Sequence, residues 1–434
     1  MSRPRIVIVG AGFAGYHAAR TLCRLARGHA DIIIVNPTDY FLYLPLLPEV
    51  AVGLQDPRNT TVSLPDNLPA VRLVLGEVRG VDFDARQVNY VDAEDRDGRL
   101  VYDRLVIAAG SVNKLLPVPG ANEHAHGFRG MPEALYLRDH MTRQIELADV
   151  SDDDAERIAR ATFVVVGAGY TGTEVAAHGV LYTRILHRRH PRLAEHPPRW
   201  LLLDLAERVL PELDQRLSRI ADRVLRRRGV EVRTKTSVKQ VTSQGVHLSD
   251  NSFVPTRSLI WCVGVRPDPL VTQLGLETMR GRLVVDEFLR VPGRPEVYAC
   301  GDAAAVPDLT RSGQVTAMTA QHAQRQGKRV AHNLAASYGI GQQRPYKHND
   351  LGFVVDLGGW QAAADPLGIP LSGVTAKAVT RGYHLLSLPS NRVRTAADWV
   401  LDAMMPRQIV QLGLVREAAV PLDTATPELP ARAW

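Results

Sequence analysis

One pattern occurs twice in this chain and leaves few folds open to it. Residues 6–10 (IVIVG) run into Gly10-Ala11-Gly12-Phe13-Ala14-Gly15, a helical stretch follows from Gly15 to Ala26, and DIIIVN spans 31–36. Residues 163–167 (FVVVG) run into Gly167-Ala168-Gly169-Tyr170-Thr171-Gly172, then another helical stretch, then WLLLD at 200–204. Each reads as strand, glycine turn, helix, strand. In such a unit the first glycine turns the chain, the second lets backbone approach a pyrophosphate, and the third packs helix on strand. The helix N-terminus adds free N–H groups and the positive end of its dipole. The repetition continues through VRLVLGEV (71–78) and VEVRTKTSV (230–238) to strands that close at glycine, LVIAAG (105–110) and LIWCVG (259–264). Internal duplication on this scale signals repeated architecture. Two dinucleotide sites are expected.

The residue ending the second strand of each unit is placed to meet the adenosine ribose. In the second unit it is Asp204, whose carboxylate accepts from both ribose hydroxyls and repels a 2′-phosphate; NADH is therefore favoured over NADPH, with Arg208 nearby as a counterweight. In the first unit it is Asn36, neutral and less discriminating. The small residues Ala109, Gly110 and Gly264 let the closing strands pass beneath a bound cofactor.

Composition removes other classes. At ~150 residues per domain, 434 residues give two to three domains, and 45% apolar with 23% charged residues are globular proportions. Lys plus Arg exceed Asp plus Glu only slightly, 52 against 46. The arginine-rich stretch 184–199 reads as a surface loop without the aromatic interleaving of a base-stacking surface, so no nucleic-acid partner is expected. Cys23, Cys262 and Cys300 form no close pair, which leaves neither a disulfide framework nor a cysteine-based zinc site; no metal is expected, and a reducing compartment fits. No run approaches ~18 apolar residues, and the four ahead of Gly10 are too few for a signal-peptide core.

A third signal assigns the two cradles. Glu296-Val-Tyr-Ala-Cys-Gly301-Asp302 follows GRLVVDEFLRV (281–291), and an aspartate at a strand end can bind ribityl hydroxyls or phosphate-bound water. With Gly10 to Gly15, Ala108-Ala109-Gly110, Gly167 to Gly172 and Gly301-Asp302 in this order, residues 6–335 resemble the two-dinucleotide-domain flavoproteins. That resemblance implies an α/β fold of two Rossmann-like dinucleotide-binding domains, the NAD domain inserted in the FAD domain, plus a C-terminal α+β region. The FAD domain would comprise 1–118 and 285–335, the NAD(H) domain 119–284, and 336–434 would serve the acceptor, membrane association or dimerisation. It places Gly10, Gly12, Gly15, Asn36, Ala109, Gly110 and Asp302 at FAD. Gly167, Gly169, Tyr170, Thr171, Gly172, Asp204 and Gly264 are placed at NAD.

Within that superfamily the acceptor depends on what sits at the flavin. Disulfide reductases carry cysteine after the second strand; residues 37–55 (PTDYFLYLPLLPEVAVGLQ) contain none, which argues against a thiol relay and against sulfide:quinone chemistry. Leu44-Pro-Leu-Leu-Pro-Glu49-Val-Ala instead is similar to the PLLPEVA stretch of type II NADH dehydrogenases, the single-subunit NADH:quinone oxidoreductases. Thr319 to Gly327 is similar to their AQxAxQxG quinone-site helix, with Arg325 where that family usually carries Gln. The resemblance adds Glu49, Thr319, Ala320 and Gln321 to the FAD contacts. It gives Glu174, near the nicotinamide, and Gln321 and Arg325, near the quinone, as catalytic residues, with the helix N-terminus at Thr319–Gln321 directed at the flavin. The implied activity is hydride transfer from NADH to FAD and on to a membrane quinone, without proton pumping. Lys377 and His384 are read as structural.

Such an enzyme must touch lipid without crossing it. Val393, Ala397, Val400, Leu401 and Met404 recur at helical spacing. Trp399 and Met405 border this stripe, Arg392, Arg394 and Arg407 could meet anionic headgroups, and Asp398 and Asp402 oppose the reading. A peripheral position on the cytoplasmic face of the cell membrane is expected, or the cytoplasm if the acceptor is a soluble carrier; the same stripe suits packing on its own domain or a homodimer. Residues 350–373 read as strands joined by Gly and Pro turns, and the Pro-rich 421–434 as loose. Two rival functions stand beside this one: a soluble NAD(P)H reductase serving a protein such as ferredoxin or rubredoxin, and a flavoprotein whose task is redox-dependent interaction.

Overall fold

The structure, a computed structural model, describes residues 3–26, 28–348 and 351–423; the sequence from 424 onward, most of the Pro-rich end, lies outside the described residues. The chain forms two compact units. The first comprises residues 1–43, 61–112 and 265–349, and the second 44–60, 113–264 and 350–434. The segment containing Glu49 and all of the C-terminal region thus belong with the second glycine turn. The helices that carry the argument are α1 (Phe13–Leu25), α2 (Met131–Val150), α3 (Tyr170–His187), α4 (Ala320–Ala336), α5 (Gly373–Ser387) and α6 (Arg392–Met404).

In the first unit the strands Arg294–Ala299, Arg104–Ile107, Arg5–Val9, Asp31–Asn36 and Val71–Asp82 lie side by side, all parallel. The antiparallel strands Gln87–Asp92 and Asp97–Val101 extend one edge of this sheet. The central strands are β-branched runs without polar alternation, as a sheet covered on both faces requires. Ile6, Val7 and Ile8 are wholly buried. Helix α4 packs along α1, Gly327 against the backbone of Ala14.

The second unit repeats the plan. Ala125–Gly127, Ser258–Trp261, Thr162–Val166, Arg199–Leu203 and Val230–Arg233 form a parallel sheet in that order. Phe163 and Trp200 stack at 4.9 Å within its core. Val354–Asp356, Ala362–Ala364 and Leu371–Ser372 form an antiparallel meander, as the Gly and Pro spacing of 350–373 predicts.

On helix α6 the apolar stripe faces outward, and the correction concerns Trp399 beside it. Val393, Val400, Leu401 and Met404 are 82%, 56%, 52% and 75% exposed, but Trp399 turns inward and is 4% exposed. The opposing carboxylates are also committed inside the unit: Asp398 accepts from the Asp56 N–H and from Asn59 Nδ2, and Asp402 pairs with Arg407. Arg392 donates to the carbonyls of Leu388 and Leu386 at the end of α5. Among the described residues no helix is long and apolar enough to cross a membrane.

Candidate functional site

The two glycine turns correspond in their tightest backbone contacts. Gly10 has φ +90°, and a Cβ there would lie 2.5 Å from the Ala108 carbonyl oxygen; Gly167 has φ +100°, and its Cβ would lie 2.2 Å from the Cys262 carbonyl oxygen. Only glycine combines that backbone with that proximity. A Cβ on Gly15 or Gly172 would lie 1.9 Å from the carbonyl oxygen of Gly10 or Gly167, so each helix sits directly on its own turn. A Cβ on Gly12 or Gly169 would meet nothing within 4 Å. These two residues begin α1 and α3, neither of which has an acidic residue in its first turn. An open cradle at a helix N-terminus fits a pyrophosphate, and the chain has two of them.

The strand-end residues also correspond. Asn36 Oδ1 accepts from the Ala11 N–H at 2.7 Å, and Asp204 Oδ2 accepts from the Ala168 N–H at 2.5 Å, so each ties the second strand to its glycine turn. Asn36 spends both amide hydrogens on Thr38 and is buried. Asp204 takes one further bond from the Ala206 N–H, leaving a lone pair on each oxygen for ribose hydroxyls. Arg208, the sequence's counterweight, donates to the carbonyls of Leu213 and Pro211. Gly110 and Gly264 end the closing strands with φ +78° and +100°, and their carbonyls accept from Asp268 and Lys114.

In the first unit, Ser111 Oγ donates to Asp302 at 2.8 Å. Gln326, fully buried on α4, accepts from the Gly301 N–H at 2.8 Å and donates to Thr316 at 2.9 Å. One helix therefore fixes the Gly301-Asp302 turn against the first cradle. The sequence pattern led past Ser111 and Gln326, although Gln326 lies inside the motif that marks α4. Thr319 caps α4 by accepting from the His322 N–H, and Ala320 starts the helix. One turn apart, Arg325 donates to Gln321 Oε1 at 3.3 Å, and its other terminal nitrogen reaches His348 Nδ1 at 3.1 Å. His348 stacks on His322 at 3.9 Å.

The second unit contains a buried charge cluster that sequence spacing could not assemble. Glu49 Oε2 accepts from the Trp399 indole at 2.5 Å, and its other oxygen lies 4.0 Å from Lys377 Nζ. Lys377 pairs with Asp356, which lies 3.4 Å from His178 and also accepts from the Gly358 N–H. Glu174, on α3, accepts from the Asp356 N–H at 2.9 Å. Burial, reinforced by the Asp356 charge and opposed by Lys377, pushes the Glu49 carboxyl up to about 7. Glu174 keeps some accessible surface, but the protein packed around it desolvates the carboxyl and raises it well above the carboxylate range. Burial also pushes Asp356 upward, yet His178 and Lys377 outweigh it and hold this carboxylate low. Burial lowers His384 to about 4. The cluster thus sets an ionised Asp356 beside a Glu174 whose carboxyl is pushed toward its neutral form. Glu49, His178 and Asp356 bring one ligand atom each within 4.8 Å of one another, a set able to take a metal ion; Lys377 supplies the positive charge there.

Residues 4–327 match the family model of pyridine nucleotide-disulphide oxidoreductases. The chain is 30% identical over 453 aligned residues to a mitochondrial internal alternative NAD(P)H-ubiquinone oxidoreductase A1 of Solanum tuberosum, covering 94% of this chain and 88% of that one. It is 32% identical over 409 residues to the type II NADH:quinone oxidoreductase NdhA of Mycobacterium tuberculosis (strain ATCC 25618 / H37Rv), covering 91% and 86%. The structure of NDH2 from Plasmodium falciparum in complex with NADH superposes with a TM-score of 0.86 at 19% identity, covering 94% of this chain and all of that one. That last likeness is one of fold, two parallel Rossmann-like sheets included.

Proposed function

The chain belongs to the pyridine nucleotide-disulphide oxidoreductase family and, within it, to the type II NADH:quinone oxidoreductases, and on that premise we propose how its residues oxidise NADH and reduce a membrane quinone. One observation carries the reading: two open, matched cradles in a chain whose buried Cys300 thiol is pushed up to about 12 by desolvation. Two dinucleotides would be accommodated, and Cys23, Cys262 and Cys300, whose thiols burial raises, would supply no reactive thiolate.

The first cradle, with Gly10, Gly12, Gly15, Asn36, Ala109, Gly110 and Asp302, would hold FAD, which when bound supplies the hydride-accepting and electron-donating chemistry. Asp302, oriented by Ser111, would meet its ribityl or phosphate oxygens. The second cradle, Gly167 to Gly172 with Asp204 and Gly264, would hold NADH. Desolvation favours the neutral form of Glu174, and in that form it would donate a hydrogen bond where a carboxylate could only accept one, which would suit the carboxamide of a nicotinamide. Thr319, Ala320 and Gln321 would aim the positive end of α4 at the flavin. Gln321 and Arg325, coupled to each other and to His348, would meet the quinone carbonyls. Glu49 is anchored by Trp399 and Lys377, so its part would be to organise the acceptor side. The exposed stripe of α6 supports peripheral attachment to the inner face of a cell membrane.

A preference for NADH over NADPH is supported by the Asp204 carboxylate and by Arg208 being occupied elsewhere. Asp204→Asn keeps an oxygen for the Ala168 N–H and removes the charge that repels a 2′-phosphate. The ratio of kcat/KM for NADH to that for NADPH is expected to fall about tenfold or more, with flavin content unchanged; steady-state kinetics with both nucleotides measures it. The reading as a whole is tested by reducing the purified protein anaerobically with NADH and timing its reoxidation. Quinone in anionic vesicles is expected to reoxidise it much faster than ferredoxin or rubredoxin does. Reoxidation by the protein carriers alone overturns the quinone assignment.

A further inference from the structure

Arginine at position 325 makes a demand that glutamine would not. An amide both donates and accepts, whereas a guanidinium only donates, so a polar group bonded to Arg325 has to accept. Gln321 Oε1 lies 3.3 Å and His348 Nδ1 3.1 Å from its terminal nitrogens. The histidine ring accordingly carries no proton on Nδ1, and the Gln321 amide turns its oxygen, not its nitrogen, toward the arginine. Both of these acceptors are neutral, so neither cancels the positive charge it holds in place.

His348 is itself fastened. Its ring stacks on the buried His322 at 3.9 Å, and His322 Nδ1 lies 2.9 Å from the Tyr346 hydroxyl. Burial, with the neighbouring His348, lowers His322 to about 4, which keeps the ring against His348 uncharged near neutral pH. The backbone leading to His348 is irregular from 342 to 348, yet it is clamped to α4. Asn333, wholly buried, accepts from the Arg344 N–H at 2.9 Å and donates to the Arg344 carbonyl at 3.0 Å. The Tyr346 N–H donates to the Glu287 carbonyl at 2.8 Å. All of these residues lie in the first unit. An arginine side chain has many rotamers to lose, and ordering it in advance removes that loss from the binding step.

Resting on the acceptor-side role given above to Gln321 and Arg325, we propose that His348 is a positioning residue for quinone reduction. It holds the Arg325 cation, and through it the Gln321 amide, ready for the quinone oxygen on which negative charge develops. A cation already in place acts on that charge without reorganising first, and arginine stays charged throughout.

The test measures kcat and KM for ubiquinone-1, a short-chain quinone, in the flavin-loaded protein, and records flavin reduction by NADH separately under anaerobic conditions. His348→Phe keeps a ring to stack on His322 and removes the acceptor. KM is expected to rise about tenfold, with kcat falling less and flavin reduction unchanged. His348→Asn places an oxygen where Nδ1 stood and should return KM to within about twofold of the parent value. In Arg325→Gln, which no longer requires an acceptor there, adding His348→Phe should raise KM no further. An unchanged KM in His348→Phe, no recovery in His348→Asn, or additive effects of the two substitutions each overturns the role of His348 while leaving quinone as the acceptor. A parent protein reoxidised by ferredoxin or rubredoxin but not by quinone overturns the acceptor assignment itself, and this role with it. Should His348→Phe lose its flavin, His348→Ala at this half-buried position takes its place under the same criteria.

Discussion

Gly172→Val is expected to give a yellow protein that no longer oxidises NADH, and Gly15→Val a colourless one. Both substitutions place a branched side chain where a single Cβ already lies 1.9 Å from a carbonyl oxygen of the preceding turn. The neighbours behind it, the Ile8 side chain at 3.4 Å and Cys262 Cβ at 3.2 Å, leave no room to give way. The helix must therefore lift from its turn, carrying its N–H groups away from the pyrophosphate. A displacement of ~1 Å in such a site costs about 100-fold in rate, and displacement of the whole cradle more. Because the two turns lie in different units, the losses should separate. Absorbance near the flavin bands reads the first cradle, and NADH titration of the flavin-loaded protein reads the second. Loss of flavin in Gly172→Val with retention in Gly15→Val would reverse the assignment of cofactors to cradles; loss in both would undermine the independence of the two sites.

That experiment rests on features open to reading in the sequence, and the reason is physical. A buried parallel strand needs an uninterrupted β-branched run, and a turn lying on a helix needs glycine. Both demands are local, so IVIVG and FVVVG announce them within ten residues. Asp204 and Asn36 were legible for the same cause, as strand ends next to a turn, although the hydrogen bonds that occupy the Asn36 amide were not. The buried cluster is a different case. Glu49, His178, Asp356, Lys377 and Trp399 are brought together from five distant segments, and nothing in the spacing of any one of them points to the others. Trp399 shows the cost of reading a helix alone: periodicity identifies an apolar stripe but does not say which residues beside it face inward, and the indole is drawn in by the Glu49 carboxylate. Segment 44–60 packs with the second unit because its Glu49 helix meets α2 and α3, a contact that sequence order conceals.

Lys377 is where that cluster is most exposed to loss. Lys377→Met removes the ammonium and leaves Asp356 buried with only His178 and the Gly358 N–H. Removing one partner of a buried ion pair typically costs about 3–5 kcal/mol, enough to lower the thermal midpoint by several degrees in a protein of this size. The pH dependence fixes the sign. Glu49 stands at about 7, above its ordinary 4.5, so its contribution is fully present below about 4.5 and is lost as pH rises through 7; without Lys377, which opposes that rise, it climbs further. Asp356 is held low, so its contribution is present above the ordinary carboxylate range and is lost on acidification, and Lys377→Met removes much of it. The deficit of the variant relative to the parent protein is therefore expected to be largest near pH 8 and to shrink toward pH 5.5, where protons replace the missing cation. Adding Asp356→Asn removes the orphaned charge and should recover most of the stability, an interaction between the two substitutions that distant, independent sites would not show. Thermal unfolding of the parent, both single variants and the double variant at pH 5.5 and 8 measures this, and equal deficits at the two pH values with additive substitutions would mean that Lys377 supports the fold by its bulk and not by its charge.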